Sequence, residues 1–437
     1  MDKEMIPLLP HAPVLPTRLT TVQLATILVC FLMNVLDGMD VMVISYTAPD
    51  IAKEWGIIPT NLGLVFSVGL LGMAVGAMFL AAQADRIGRR RMILLSAGLM
   101  GGCVLATVYV ESVAMLALAR FVSGVGIGSM LASTATLTAE YAPARTKDFW
   151  VSFVMSGYPI GAVLSGIAAA RIIPDYGWRA MFSMAGVVTL FTWPIIYFFL
   201  AESLDFLLKA QPKGALTQAN ELLRKMGREA LTELPPLQTT VTKAAVNELF
   251  SGNRRTATVL LWIALFMAFA TLYFLTMWIP KLATNAGLPM SLAIYAGTVF
   301  NLGAFFGIVT QGYLSARLGL QQVIRGFLVV TAMLMMAFGF VTGSAWVLVL
   351  FGLIGFGIQG GFVGMYSLAA KLYPTRVRAT GVGWAVGAGR IGAVAGPLVG
   401  GLLIGAGWSM SANFILFAIP ALIAGFITLR IQISDPS

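Results

Sequence analysis

The sequence predicts an all-α polytopic membrane protein in which twelve transmembrane helices form two six-helix bundles in pseudo-twofold relation. The first observation is composition: 58% of the 437 residues are hydrophobic and only 11% are charged, whereas a soluble domain carries about 25% charged residues. The second is a series of twelve apolar runs, each close to the roughly 20 residues that cross a bilayer. The third is a set of short motifs that recur at one constant offset.

Charges, glycines and prolines mark off the apolar runs. The twelve runs are 22–46, 60–83, 92–110, 113–139, 149–171, 178–200, 256–279, 290–315, 321–343, 345–370, 379–405 and 409–430. The domains expected from them are a tail at 1–21, a bundle at 22–201, a linker at 202–255, a bundle at 256–430 and a tail at 431–437. Within the linker, residues 216–226 have the pattern of an amphipathic helix that lies on the membrane surface.

Basic residues are distributed unevenly between the two sides of the predicted membrane. Of the 28 Lys and Arg, Arg120 and Arg390 lie within spans. If both tails are inside, the outer segments contain only Lys53, Arg171, Arg179 and Lys281. The other basic residues then lie inside, so the positive-inside rule predicts cytoplasmic termini. The net charge of +10 is thereby explained by topology, and no nucleic-acid partner is expected.

The two halves of the chain repeat each other at one constant offset. Pro49 matches Pro280, Arg86 matches Arg317, and the motif at 160–163 recurs at 391–394. An ungapped parallel repeat of this kind predicts a binding site near the membrane midplane, between the bundles. Small-residue stripes at 157–165 and 392–400 predict close helix packing between the bundles.

Two carboxylates, Asp37 and Asp40, lie inside the first apolar run. Each costs about 2.5 to 3.5 kcal/mol at hydrocarbon depth, so both are expected to face protein or a watery cavity. Their spacing of three residues puts them on one face of a helix. Because burial disfavours the charged form of a carboxylate, the pair is predicted to bind protons.

Two arginines are predicted to contact the acids or an anionic substrate. Arg120 in the fourth span lies about 10 Å from the outer face, and Asp40 lies at a similar depth of roughly 9 Å, so we expect an ion pair. Arg390 lies roughly 18 Å into the eleventh span, where no acid of the second bundle can neutralise it. Its planar guanidinium fits a carboxylate. Pairing with Asp37 across the bundles is the alternative for Arg390.

The loop between spans 2 and 3 resembles the signature G-x-x-x-D-R-x-G-R-[KR] of the major facilitator superfamily. The matching residues are Asp85, Arg86, Gly88, Arg89 and Arg90, whereas Ala81 replaces the leading glycine. The resemblance implies a gate in which Asp85 bonds helix ends and a basic partner in one access state and releases them in the other. Glu140 and Arg145, at the end of the fourth span, are candidate members of the same gate.

A second resemblance is more specific. The segment Asp37-Gly38-Met39-Asp40 resembles the D-G-[FMY]-D signature of the aromatic acid:H⁺ symporter family, and Arg120 and Arg390 fit the pattern of that family. The resemblance implies proton-driven uptake of an aromatic carboxylate, such as a hydroxybenzoate, benzoate or phenylpropionate, across a bacterial inner membrane. Substrate-stacking candidates are the aromatic residues Tyr273, Phe274 and Trp384.

Several alternatives remain open at this point. The cargo could be another organic acid, such as muconate, a dicarboxylate or nicotinate. A drug:proton antiporter is less favoured because the fifth span lacks the G-P-x-x-G-G stretch of that group. No enzyme is expected, since the only His is His11 and the cysteines, Cys30 and Cys103, have no metal or disulfide spacing. We expect no cofactor or metal, partners limited to protons, a small organic anion and lipid, and a functional monomer.

Overall fold

The computed structural model describes residues 19–143, 146–236, 246–251, 254–285, 288–338, 344–374 and 377–432. The described part is helical and contains no strand. The helices of the first half are α1 (Thr21–Trp55), α2 (Pro59–Val75), α3 (Arg89–Ala106), α4 (Val113–Tyr141), α5 (Lys147–Met155), α6 (Gly157–Phe191) and α7 (Trp193–Phe199). The linker contains α8 (Leu204–Ala210) and α9 (Ala215–Lys225). The second half consists of α10 (Arg254–Asn285), α11 (Met290–Leu318), α12 (Leu320–Ala337), α13 (Ser344–Leu372), α14 (Arg378–Gly405) and α15 (Met410–Arg430).

Eleven helical stretches of the described chain are long and apolar enough to cross a membrane, one fewer than the twelve predicted runs. The difference is the 51-residue stretch Phe149–Phe199, in which Gly177 is not helical (φ 76°, ψ 173°). Next to Gly177, the Trp178 indole donates to Glu54 near the end of α1 at 2.6 Å. Trp193 donates to the Leu94 carbonyl, in the first part of α3, at 2.8 Å. The chain therefore reverses at Gly177, and this stretch supplies two passes.

The repeat seen in the sequence is also present in the packing. A methyl group at Gly161 would lie 1.8 Å from the Val35 carbonyl oxygen, and one at Gly392 would lie 2.1 Å from that of Phe266. Gly392 follows Gly161, and Phe266 follows Val35, by the same number of residues that separates Pro280 from Pro49. Close glycine contacts thus join α1 to α6 and α10 to α14, within each half. The expectation that these stripes pack between the bundles is therefore wrong: the glycines allow neighbouring helices of one half to touch.

Among the described residues, the hydrogen bonds between the two halves lie on one side of the molecule. We call the face that carries Gly88 and residues 202–236 the linker face, and the other one the opposite face. Toward the opposite face, Ser45 donates to the Thr276 carbonyl at 2.9 Å and Ser67 donates to the Val394 carbonyl at 2.7 Å. The Phe66 and Trp278 rings meet edge to face at 5.2 Å. The interface between the halves is therefore closed toward the opposite face.

Candidate functional site

A buried ion pair joins α1 to α4. The Arg120 guanidinium lies 3.1 Å from Asp40 Oδ1, and its Nη2 donates to the Asp40 carbonyl at 3.2 Å. The Ser123 hydroxyl donates to Asp40 Oδ2 at 2.7 Å. Arg120 and Asp40 are 4% and 1% exposed, so the pair is held away from solvent. The two residues meet as their matched depths predict.

Asp37 lies three residues before Asp40 but has a different environment. It is fully buried, and neither carboxylate oxygen has a hydrogen-bond partner among the described residues. The backbone of α6 reaches it across Gly38, where a methyl group would lie 1.9 Å from the Tyr158 carbonyl oxygen. The glycine between the two acids therefore allows Tyr158 to approach Asp37, and their side chains interact electrostatically.

Replacing Gly38 tests this close approach. We expect Gly38→Ala to force α1 and α6 apart and to destabilise the protein by about 1–3 kcal/mol, as overpacking of a tight core does. Thermal unfolding in detergent measures the effect. Gly102→Ala is the control, because nothing lies within 4 Å of a methyl group at that helical position. Equal stability of the two variants would contradict the packing role of Gly38.

Arg390 is the counterpart of Asp37 on the second half. It is 8% exposed, its Nη1 has no hydrogen-bond partner, and it forms no ion pair within the described part of the chain. It lies close enough to Asp37 to interact electrostatically. The two side chains therefore lie near the same region between the halves and form no ion pair with each other.

Aromatic side chains surround this region. Phe269 lies 6.0 Å from the Arg390 guanidinium, stacks on Tyr273 at 6.0 Å and meets Phe362 edge to face at 4.6 Å. Phe362 in turn contacts Tyr366 at 5.3 Å. The Tyr273 side chain, one of the predicted stacking residues, thus lies beside the Arg390 site.

The other two predicted aromatic contacts lie elsewhere. Phe274 is fully buried and stacks on Phe417 of α15 at 3.8 Å. Adjacent residues of a helix point in directions about 100° apart, so Phe274 cannot share the orientation of Tyr273. Trp384 stacks on Trp262 at 6.1 Å and precedes Arg390 by six residues, which is about 9 Å nearer the linker face. The structure does not bring either ring to Arg390.

At the linker face, acidic and basic side chains form a network that joins the first half to the start of the linker. Arg89 forms an ion pair with Glu140, and Glu202 Oε1 accepts the backbone N–H groups of Arg89 and Arg90 at 2.8 and 3.1 Å. Ser203 donates to the second Glu140 oxygen at 2.6 Å. Glu202 therefore caps the positive end of α3, where a carboxylate is favoured by the helix dipole.

The remaining residues of the predicted gate differ in their contacts. Gly88 has a left-handed φ of 98°, and a methyl group there would lie 2.4 Å from Glu202 Oε2, so both backbone and space require glycine. Asp85 is 78% exposed and lies 3.5 Å from Arg89. Arg90 donates to the Tyr197 carbonyl, whereas Arg86 is exposed. Arg145 lies outside the described residues.

Sequence reasoning missed three kinds of residue in these sites. Ser123 follows Arg120 by one helical turn, and that spacing was a usable signal. Glu202 lies at the boundary between the sixth predicted run and the linker, where a solvated charge is also expected, so it gave no specific signal. Tyr158 and Tyr366 had no signal in their own segments, because their position depends on how three separate helices pack.

The comparisons with known proteins agree with this architecture. The family profile described as Major Facilitator Superfamily matches residues 30–359 and 291–436. The chain is 33% identical to the 4-hydroxybenzoate transporter PcaK of Pseudomonas putida, over 93% of this chain and 92% of the relative. It is 29% identical to the benzoate transport protein of Acinetobacter baylyi, over 94% and 90% of the two chains.

A solved structure shows the same fold at lower identity. The partially occluded inward open conformation of the xylose transporter XylE from E. coli superimposes with a TM-score of 0.75 and 18% identity, covering 96% of this chain and all of the other. Together with the helical repeat, these matches confirm the predicted fold class. The relatives are named as transporters and not as enzymes. The chain is a multi-pass membrane protein of the transporter type and belongs to the Major Facilitator Superfamily.

Proposed function

We propose that this protein is a proton-coupled symporter that takes up an aromatic carboxylate by alternating access. The observation that carries the proposal is the pair Asp37 and Arg390, buried on opposite halves with unpartnered polar atoms. Relatives named for 4-hydroxybenzoate and benzoate transport support an aromatic acid as the cargo.

Arg390 is the proposed binding group for the carboxylate of the cargo. A guanidinium inside a membrane is costly unless an anion or aligned dipoles compensate it. Its Nη1 is buried and unpartnered, and a bidentate carboxylate satisfies such a group well. The Phe269 and Tyr273 rings beside it would provide an apolar wall for an aromatic ring.

Asp37 is the proposed proton-binding group. A buried carboxylate without hydrogen-bond donors is more stable when protonated. When the cargo anion neutralises Arg390, Asp37 loses the nearby cation that favours its charged form, so proton and anion would be retained together. One proton moving with one monocarboxylate carries no net charge, and the pH gradient then supplies about 1.4 kcal/mol per unit.

The Arg120–Asp40 pair favours a monocarboxylate over a dicarboxylate. Arg120 is already engaged by both its ion pair and the Asp40 carbonyl. Arg390 is then the one buried arginine of the described chain without an ion pair that can bind cargo. We propose that Arg120–Asp40 holds α1 against α4 and couples protonation of α1 to movement of the first half.

The linker-face network is the proposed gate of this symporter. In the described state, Glu140 and Glu202 engage α3 within the first half, and Asp85 remains exposed. An exposed carboxylate at this face is available to a helix end of the second half when the halves approach there. The proposed gating residues are Asp85, Arg86, Gly88, Arg89, Arg90 and Glu140.

Transport by the purified protein in lipid vesicles tests the proposal. An acid-outside pH gradient is expected to drive accumulation of labelled 4-hydroxybenzoate, and dissipation of the gradient is expected to abolish it. Competition by benzoate, phenylpropionate, muconate and nicotinate ranks the alternative cargoes. Proton-driven export of a cationic drug, with no uptake of any acid, would contradict symport and favour an antiporter.

Asp37→Asn separates proton coupling from cargo binding. Because the amide cannot change charge, we expect gradient-driven accumulation of 4-hydroxybenzoate to fall at least about tenfold, a loss equivalent to one pH unit. Exchange of internal for external cargo at equal pH should persist, since Arg390 is intact. Accumulation at the wild-type level by Asp37→Asn would exclude Asp37 as the coupling site.

A further inference from the structure

We propose that Tyr158 is a specificity-determining residue that binds the ring hydroxyl of a hydroxylated aromatic acid, so that the site distinguishes such acids from unsubstituted ones. The inference rests on the proposed function and deepens it. Its basis is the position of Tyr158 on the half opposite Arg390, with its backbone locked against Gly38.

Three phenols converge on the region between Asp37 and Arg390. Tyr158 extends from α6 of the first half, and Tyr273 and Tyr366 extend from α10 and α13 of the second half. All three side chains are partly exposed, although the charged groups beside them are buried. Tyr158 lies within electrostatic range of Asp37, Arg390 and Tyr273, which belong to both halves. Since Tyr158 is also partly exposed, its phenol is placed near the space between the halves.

The two ends of this space differ in chemistry. At the second half, Arg390 supplies a cation. The rings of Phe269, Phe362 and Tyr366 contact one another in succession, and Phe269 lies beside Arg390. At the first half, the Tyr158 phenol lies within electrostatic range of Asp37, whose carboxylate oxygens have no hydrogen-bond partner among the described residues. A ligand that fits both ends has a carboxylate at one side of a ring and a hydroxyl at the other. The phenol can donate to that hydroxyl or accept from it.

Tyr158 is better suited to this role than the other two phenols. Tyr273 stacks on Phe269, which gives it a place in the wall of the ring site. Tyr366 lies near Arg390 on the same half, where its hydroxyl can complete the hydrogen bonds of the cargo carboxylate. Tyr158 alone of these three approaches from the first half, so a hydroxyl bound there would also hold the two halves together.

Binding of two acids to the purified full chain tests the inference. Dissociation constants for 4-hydroxybenzoate and benzoate are measured for the wild type and for Tyr158→Phe and Tyr366→Phe. Loss of one neutral hydrogen bond corresponds to roughly three- to tenfold in affinity. We expect Tyr158→Phe to weaken the binding of 4-hydroxybenzoate by that factor and to leave the affinity for benzoate unchanged. Tyr366→Phe should weaken the binding of both acids equally. Tyr295→Phe, at an exposed side chain of α11, should change neither affinity.

Each other outcome has a definite meaning. An unchanged preference in Tyr158→Phe, or a wild type that binds benzoate as tightly as 4-hydroxybenzoate, overturns this inference and leaves the proposed function intact. Equal weakening of both acids by Tyr158→Phe shows a packing role and also overturns it. A wild type that binds neither acid, while remaining folded by thermal unfolding, overturns the proposed function itself.

Discussion

Arg120→Met is expected to abolish uptake and to lower the free energy of unfolding by about 3–5 kcal/mol, because it leaves the Asp40 carboxylate buried without its cation. Asp40 is 1% exposed, and its remaining side-chain donor is Ser123. The decisive comparison is the double variant Asp40→Asn/Arg120→Met, which removes both charges. It should recover most of the stability and none of the proton-driven uptake.

The control for Arg120 is another Arg–carboxylate pair of the same chain. Arg179 lies 2.6 Å from Glu54, but these side chains are far more exposed than the Arg120 pair, at 39% and 44%. Such a surface pair contributes about 0–1 kcal/mol, so Arg179→Met should unfold near the wild-type temperature. Wild-type uptake by Arg120→Met would remove the ion pair from the transport mechanism.

Arg390→Gln is expected to weaken 4-hydroxybenzoate binding at least about 30-fold, because truncating one partner of a buried charge pair costs about 2–5 kcal/mol or more. A tenfold change in affinity corresponds to about 1.4 kcal/mol. The variant should also lose its preference for the acid over the neutral analogue 4-hydroxybenzamide, because the interaction that is lost is the one with the charge of the cargo. Equilibrium binding to the purified protein gives both quantities.

An arginine outside the site provides the comparison for Arg390. Arg325 of α12 is exposed, so Arg325→Gln should bind both compounds as the wild type does. If Arg390→Gln kept wild-type affinity for the acid, the cargo carboxylate would have to bind elsewhere, and the proposed role of Arg390 would be wrong.

The fold could be predicted because its determinants are local and repeated. Span length follows from bilayer thickness, and an offset visible in short motifs reappears in the contacts of Gly161 and Gly392. The Arg120–Asp40 contact was predictable as well, because the depth of a residue along a straight helix is a one-dimensional quantity. The reversal at Gly177, where the backbone is not helical, falls in the gap between the predicted runs 149–171 and 178–200.

The rest of the site depends on rotation and on packing between helices. Residue spacing places Asp37 and Asp40 on one face, but it does not say that Arg120 reaches only the second acid. Nor does it separate Tyr273, beside Phe269, from Phe274, which packs on Phe417. Those distinctions depend on how each helix is turned about its own axis, which a nearly uniform apolar composition leaves undetermined.

The two halves share a backbone plan but not its ionisable chemistry. At the offset of the repeat, Asp37, Asp40 and Arg120 correspond to Ala268, Thr271 and Phe351, and Arg390 corresponds to Pro159. The repeat is thus polarised, with the buried acids in one copy and the buried arginine without an ion pair in the other. Under the proposed function, mutations in the second half, which binds the cargo carboxylate, can change the range of transported acids. The proton-coupling acid in the first half would stay unchanged. This separation would allow one fold to acquire new substrates while keeping the same proton coupling.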